Sequence, residues 1–267
     1  CFVMTAYQLP KYFKLGARKG IPAQYDVERI DLLVVDEAGQ VDVSIGAPSF
    51  ALPKRAMVVG DVRQLAPVWG IDPESDEALF EGLGSGLDWE DLKAKGLTAS
   101  DHSSIMAAAS SASNWCYKGG EPGLFLSEHF RCREEIIGYC NELIYKGMLE
   151  PKRPVKGYAL EGNTESPFLF FEVDGSKDTP RGSSRCNEVE AMAVARWIEK
   201  NFSFFYDVYH VQPEDADKKV AEEEIIGVVT PFKAQASLIA CKLEEVGGRG
   251  LKEKITVGTA HKLQGAE

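Results

Sequence analysis

The chain has 267 residues, 44% of them hydrophobic and 27% charged, enough for one large domain or two ordinary ones around a real core. Its formal net charge of -11 argues against a protein that coats nucleic acid wholesale. A narrow nucleic-acid track built from backbone amides and a few Lys or Arg stays compatible with that charge.

No apolar run reaches membrane-spanning length and no signal peptide is visible, so no membrane partner is expected. Six cysteines, at 1, 116, 132, 140, 186 and 241, include no CxxC pair, which points to reduced thiols and a cytoplasmic or nuclear setting. The chain begins at Cys1 rather than Met, so its natural start is expected to lie elsewhere.

In chain order, "CFVMTA" (1–6), "DLLVVDE" (31–37) and "AMVVGD" (56–61) read as three strands, short and rich in β-branched residues. A break follows near 100–123, where "SSIMAAASSASN" is a candidate helix and "YKGGEPG" a turn. Apolar residues at 136, 137, 140, 143 and 144 of "EEIIGYCNELIY" line one face of a helix. "FLFFEV" (168–173), "IIGVVT" (225–230) and "ITVGTA" (255–260) read as three further strands. "NEVEAMAVARWIEKNF" and "FKAQASLIACKLEEV" read as amphipathic helices among them. "QPEDADKKVAEEE" reads as a solvated acidic loop and helix start, and "GGRGLKEKITVGTAHK" is locally basic. Alternation of strands with helices predicts an α/β fold with parallel sheets buried on both faces. The simplest partition is two lobes, 1–123, with an inserted segment at 70–123, and 124–267.

Two stretches carry chemistry. "LLVVDEAGQ" (32–40) ends a buried strand in Asp36-Glu37, where open α/β sheets place their ligands. A strand-end Asp suits Mg²⁺ and an adjacent Glu suits a general base; an acidic turn after a core strand is the plainer alternative. "RAMVVGDVRQLAPV" (55–68) ends a second strand in Gly60-Asp61, with Gln64 within reach of a phosphate oxygen, or else is an ordinary loop closed by Pro67. Arg131 reads as a cation at the start of a helix, against the macrodipole, which hints at a bound anion; pairing with Glu128 or Glu135 is the alternative. Thr230 reads as a strand end with Pro231 at the first helical position, which leaves helix amides free for a phosphate; an N-cap Thr followed by Pro is the plainer and compatible alternative.

These stretches in order resemble superfamily 1 helicases of the Upf1-like (DNA2/NAM7) branch. "DEAGQ" resembles motif II, "GDVRQLAPV" motif III, and "LSEHFRCREEIIGYCNELIYKGML" motif IV with its helix. "GSSRCNEVEA" resembles the S-x-x-N-x-x-E-A segment, "IGVVTPFKAQ" the T-P-F-x-x-Q motif and "VGTAHKLQGAE" motif V. The resemblance implies two RecA-like lobes of the P-loop NTPase type, both incomplete, with ATP and Mg²⁺ as cofactors and single-stranded DNA or RNA as partner. It implies that Asp36 holds Mg²⁺, Glu37 activates water, Gln64 senses the γ-phosphate and Arg131 is an arginine finger. Gly265 and Glu267 would contact the nucleotide, and Thr5, Thr230, Thr259, His261 and Lys262 the nucleic-acid backbone.

The chain contains no G-x-x-x-x-G-K-[ST] loop and ends before a motif VI, so it is expected to be the middle of a motor core. A non-catalytic binding scaffold is the competing reading. A nuclease ranks last, for want of further acidic ligands.

Without a loop of amides and a Lys to neutralise the β- and γ-phosphates, the 267-residue chain alone is expected to show no measurable ATP turnover. The check is turnover by the purified chain with saturating single-stranded DNA or RNA. Steady hydrolysis that disappears in Glu37→Gln would overturn the expectation.

Overall fold

The computed structural model describes residues 1–16, 22, 24–153, 168–175, 177–212 and 215–263. It divides into two compact units, Cys1–Ser127 and Glu128–Glu267. Strands and helices are mixed, and each unit contains parallel strand pairs, as an α/β chain requires.

In the first unit a short helix α1 (Leu9–Tyr12) leads into an antiparallel pair, β1 (Lys14–Leu15) and β2 (Gln24–Tyr25). Next come β3 (Leu33–Val35), the short helix α2 (Val43–Gly46) and β4 (Ala56–Val58). β3 and β4 run parallel in the register Leu33↔Ala56, Val34↔Met57, Val35↔Val58. Three helices follow, α3 (Pro73–Leu83), α4 (Trp89–Ala94) and α5 (Ile105–Ala112). Each is capped at its N-terminus by its own Asp or Ser: Asp72, Asp88 and Ser104 accept from the backbone N–H three residues on. The buried Asp76 carboxylate accepts from Ala99 N–H (2.9 Å) and the Ser100 hydroxyl (2.8 Å), fixing the 98–104 turn to α3. The segment 70–123 thereby acquires its own polar anchor.

The second unit opens with β5 (Glu128–His129), α6 (Glu134–Leu143) and β6 (Glu150–Pro151), the two strands parallel. An antiparallel pair, β7 (Thr179–Arg181) and β8 (Ser184–Cys186), precedes the long helix α7 (Glu188–Tyr209). β9 (Val211–Gln212) and β10 (Asp215–Lys219) pair antiparallel, and α8 (Glu222–Ile225) follows. The unit closes with β11 (Gly227–Val229), α9 (Lys233–Glu253), β12 (Thr256–Gly258) and α10 (Ala260–Leu263). β11 and β12 are parallel, with α9 as the crossover.

The core of this unit is a helix–helix contact. Ala191, Ala195, Ile198 and Phe202 of α7, spaced at helical intervals, bury one face against Ile239 and Leu243 of α9 and against Ile255. Two alanines at the contact let the helices approach closely. A pair of polar residues locks the N-terminal ends: Asn187 N–H donates to Gln235 Oε1 (2.7 Å), and Gln235 Nε2 donates back to Asn187 O (3.2 Å). Both residues are buried. Asn187 Oδ1 meanwhile caps α7 by accepting from Glu190 N–H, and Ser184 Oγ accepts from Ala234 N–H of α9.

Several expectations need correction. Residues 1–5 and 168–173 form no strand, because each run lacks a ladder partner among the described residues and its aromatic side chains stay largely exposed. The β3–β4 pair is not buried on both faces: Val34 and Met57, partners in register, are each 54% exposed. α9 is also longer than its periodicity predicts and bends at Gly248, whose φ of 72° is non-helical.

Gln235→Ala would orphan the buried N–H of Asn187, whose C=O keeps the Ala191 N–H, at about 1–3 kcal/mol for the unsatisfied group. The expected outcome is a clearly lower urea midpoint for the second unit. An unchanged midpoint would show that the clasp contributes nothing.

Candidate functional site

The first unit brings the two predicted loops together. Val59 N–H donates to Val35 O (2.8 Å), carrying the β3–β4 ladder one step beyond β4, and Ala38 N–H donates back to Val59 O (2.9 Å). The chain then turns sharply at Glu37, whose φ of 51° and ψ of 37° lie in the left-handed region. A non-glycine residue there is uncommon and clusters at functional sites. Two glycines make the approach possible. A Cβ at Gly39 would lie 2.5 Å from Asp61 O, and one at Gly60 2.8 Å from Ala38 N and Gly39 N. The loops therefore touch backbone to backbone, and Asp36, Glu37, Asp61 and Gln64 ride on this contact.

Each loop holds its own polar side chains at a spacing of three. Glu37 Oε2 accepts from Gln40 Nε2 (3.0 Å), and Asp61 Oδ2 accepts from Gln64 Nε2 (3.2 Å). Asp36 Oδ1 accepts the Glu37 N–H (2.9 Å), and Asp61 Oδ1 that of Arg63 (2.9 Å). Asp36, Glu37 and Gln64 are exposed. Sequence reasoning missed Asp61 as the residue that holds Gln64; the repeated acid-x-x-Gln spacing of "EAGQ" and "DVRQ" is the signal that could have found it.

The segment 70–123 braces both loops from behind. Ile105 N–H donates to Val41 O (2.9 Å), and its side chain fills the space left at Gly46. Arg63 Nη2 pairs with Glu121 Oε1 at 2.5 Å, with both side chains mostly shielded.

Among the described residues no group of three or more His, Cys, Asp or Glu side chains is arranged to hold a metal by itself. Adjacent exposed carboxylates on Asp36 and Glu37 nonetheless fit Mg²⁺, which takes one or two carboxylates and completes its shell with water and phosphate oxygens.

In the second unit Arg131 is not in the first turn of a helix. α6 starts at Glu134 with Arg133 as its N-cap, so the macrodipole argument for Arg131 fails. It lies in the bend between β5 and α6, exposed, and its carbonyl accepts from Arg153 Nη1 (2.5 Å). Glu135 pairs with Arg133 instead (3.6 Å). The bend is pinned by His129, whose Nε2 accepts from Cys132 N–H (2.9 Å) and is therefore unprotonated. Burial, and then the Arg131 charge, hold the His129 pKa below the ordinary histidine value, which favours that neutral ring.

Thr230 is buried, and its hydroxyl accepts from Phe232 N–H (3.4 Å). The cap of α9 is Phe232 rather than Thr230, so Pro231 precedes the helix instead of opening it. Thr230 N–H donates to Gly258 O (3.0 Å), which draws the ends of β11 and β12 together. Thr259 O accepts from the N–H groups of Lys262 and Leu263, starting α10. Lys262 folds back over Gly258 and donates to Val257 O (3.1 Å), whereas His261 is exposed. In the first unit Thr5 O accepts from the N–H groups of Gln8 and Leu9 ahead of α1. Gly265 and Glu267 lie outside the described residues.

Comparison with protein families matches residues 108–267, well over half of the chain, to the family described as AAA domain. No curated protein matches the chain.

Gly60→Ala forces its new methyl against two backbone nitrogens, so the loops must part; overpacking of this kind costs about 1–3 kcal/mol. The expected result is a lower melting temperature and faster amide exchange at Ala38. Gly70→Ala, with nothing within 4 Å of its Cβ, serves as the neutral control.

Proposed function

The chain belongs to the AAA domain family, and on that premise we propose that it is part of an ATP-dependent helicase or translocase of the Upf1-like superfamily 1 type, acting on single-stranded DNA or RNA. In this reading residues 1–123 are the later part of a first RecA-like lobe and residues 124–267 a second. The observation that carries it is the backbone contact between the Asp36-Glu37 loop and the Asp61–Gln64 loop at the carboxyl ends of parallel strands. A scaffold has no physical need for two glycines and a left-handed Glu to bring two acid-and-amide loops together.

The roles follow from chemistry. Asp36 would hold Mg²⁺, which when bound would supply neutralisation of phosphate charge. Glu37 accepts a proton from the water that attacks the γ-phosphorus, while the β–γ bridging oxygen leaves with ADP. Gln40 holds the Glu37 carboxylate until then, and Gln64 exchanges its Asp61 partner for a γ-phosphate oxygen. Both pairs are exposed, and hydrogen bonds of this kind contribute about 0.5–1.5 kcal/mol, so a nucleotide can displace them. Arg131 stabilises negative charge that shifts in the transition state. Thr259, just ahead of α10, and His261 and Lys262 within it contact the nucleic-acid backbone; Lys262 must first release Val257 O. Thr230 supports that strand end from inside. Gly265 and Glu267 contact the nucleotide.

Glu37→Gln, in the protein as its source expresses it, should leave Mg-ATP binding near normal and lower turnover by orders of magnitude. Paired nucleotide-binding and phosphate-release assays decide it. Near-wild-type hydrolysis would remove Glu37 from the chemistry.

A further inference from the structure

The first 25 residues hold four cations, Lys11, Lys14, Arg18 and Lys19, and no Asp or Glu, in a chain whose net charge is -11. Aromatic residues are interleaved with these cations. Tyr7 precedes α1 and Tyr12 ends it, and they are 63% and 73% exposed; Tyr25 on β2 is 48% exposed. None of these residues has a part in the site described above.

The backbone sets the tyrosines beside the lysines in two separate ways. Tyr7 and Lys11 stand four residues apart around α1, and the Lys11 ammonium lies 3.6 Å from the centroid of the Tyr7 ring. Lys14 and Tyr25 are register partners across the antiparallel β1–β2 pair, so their side chains leave the same face. The strand pair is closed by Asp26 N–H donating to Phe13 O (3.0 Å). The first acid, Asp26, is drawn towards Arg29 at 3.7 Å. Exposed rings alternating with cations match a ligand with a flat face and a phosphate at each repeat. A polyanion without bases would use the lysines and leave the rings idle.

We infer that Tyr7, Lys11, Tyr12, Lys14 and Tyr25 form a binding platform for single-stranded nucleic acid on the first unit. The tyrosine rings stack on unpaired bases, and Lys11 and Lys14 pair with the phosphates between them. Stacking of this type tolerates any base, so the platform adds affinity without sequence preference. The inference rests on the nucleic-acid reading proposed above and adds to it a location and a mode of contact.

The experiment is fluorescence anisotropy of the 267-residue chain with a labelled oligo(dT) or oligo(U), titrated at several salt concentrations. Tyr12→Ala and Tyr25→Ala should each weaken binding about tenfold, while Tyr12→Phe, which keeps the ring, should bind like wild type. The double variant Lys11→Ala/Lys14→Ala should flatten the salt slope by about 1.4, as expected for two phosphate contacts on a single strand. An abasic oligonucleotide of equal length should bind the wild type more weakly and be indifferent to Tyr12→Ala. Wild-type binding with no response to these variants would overturn the platform and leave the proposed function standing. Failure of the wild type to bind any single strand, or binding to phosphatidylserine vesicles in its place, would overturn both. Far-UV circular dichroism of each variant shows that the fold is kept.

Discussion

Parallel strand pairing in register is the constraint on which the rest depends. Two parallel strands finish at the same edge, so the loops that leave them must emerge side by side. In the first unit this sets Glu37 beside Asp61, with Val35 opposite Val58 and the ladder continued through Val59 and Ala38. In the second unit it sets Thr230 beside Gly258, with Val229 opposite Gly258. A slip of one residue in either pair would turn every side chain to the other face. Gly39 and Gly60 are consequences of the same constraint, since loops that emerge together have no room for a Cβ between them.

Polar contacts in this chain divide into two kinds with different consequences. Glu37 with Gln40, and Asp61 with Gln64, are exposed and three residues apart. Water competes for them, so they hold a side chain in place without fixing it. Asn187 with Gln235, and Asp76 with Ser100 and Ala99, are buried and join segments distant in sequence. Losing one partner there leaves a desolvated group with nothing to bind, which costs far more than the bond contributes. Side chains assigned to chemistry belong to the first kind, and those that fix the architecture to the second.

The segment 70–123 carries contacts of the buried and shielded kind to both loops. It adds no acid or amide to the loops, yet Ile105 supports the turn after Glu37, and Glu121 takes the guanidinium next to Gln64. A mostly shielded ion pair of this sort costs more to break than an exposed one, because its charges lack full hydration. The loop bearing Gln64 is thereby tied to the segment that carries Glu121, while Gln64 itself is held by its exposed bond to Asp61.

Local sequence determined what local physics can encode. The 3.6-residue spacing of apolar side chains announced α6, α7 and most of α9, and the acid-ended apolar runs announced the loops after β3 and β4. It misled where a strand needs a partner: 1–6 and 168–173 have strand composition but no ladder. It also misled by a few residues at helix starts, at Arg131 and Thr230, because a cap is settled by which side chain reaches a free N–H. The clasp of Asn187 with Gln235 spans 48 residues and the Arg63–Glu121 pair 58, separations at which no periodicity survives. Only tertiary structure decided those. A residue's type and spacing state what it can bond, but which group stands opposite is settled when distant segments compete for the same buried space.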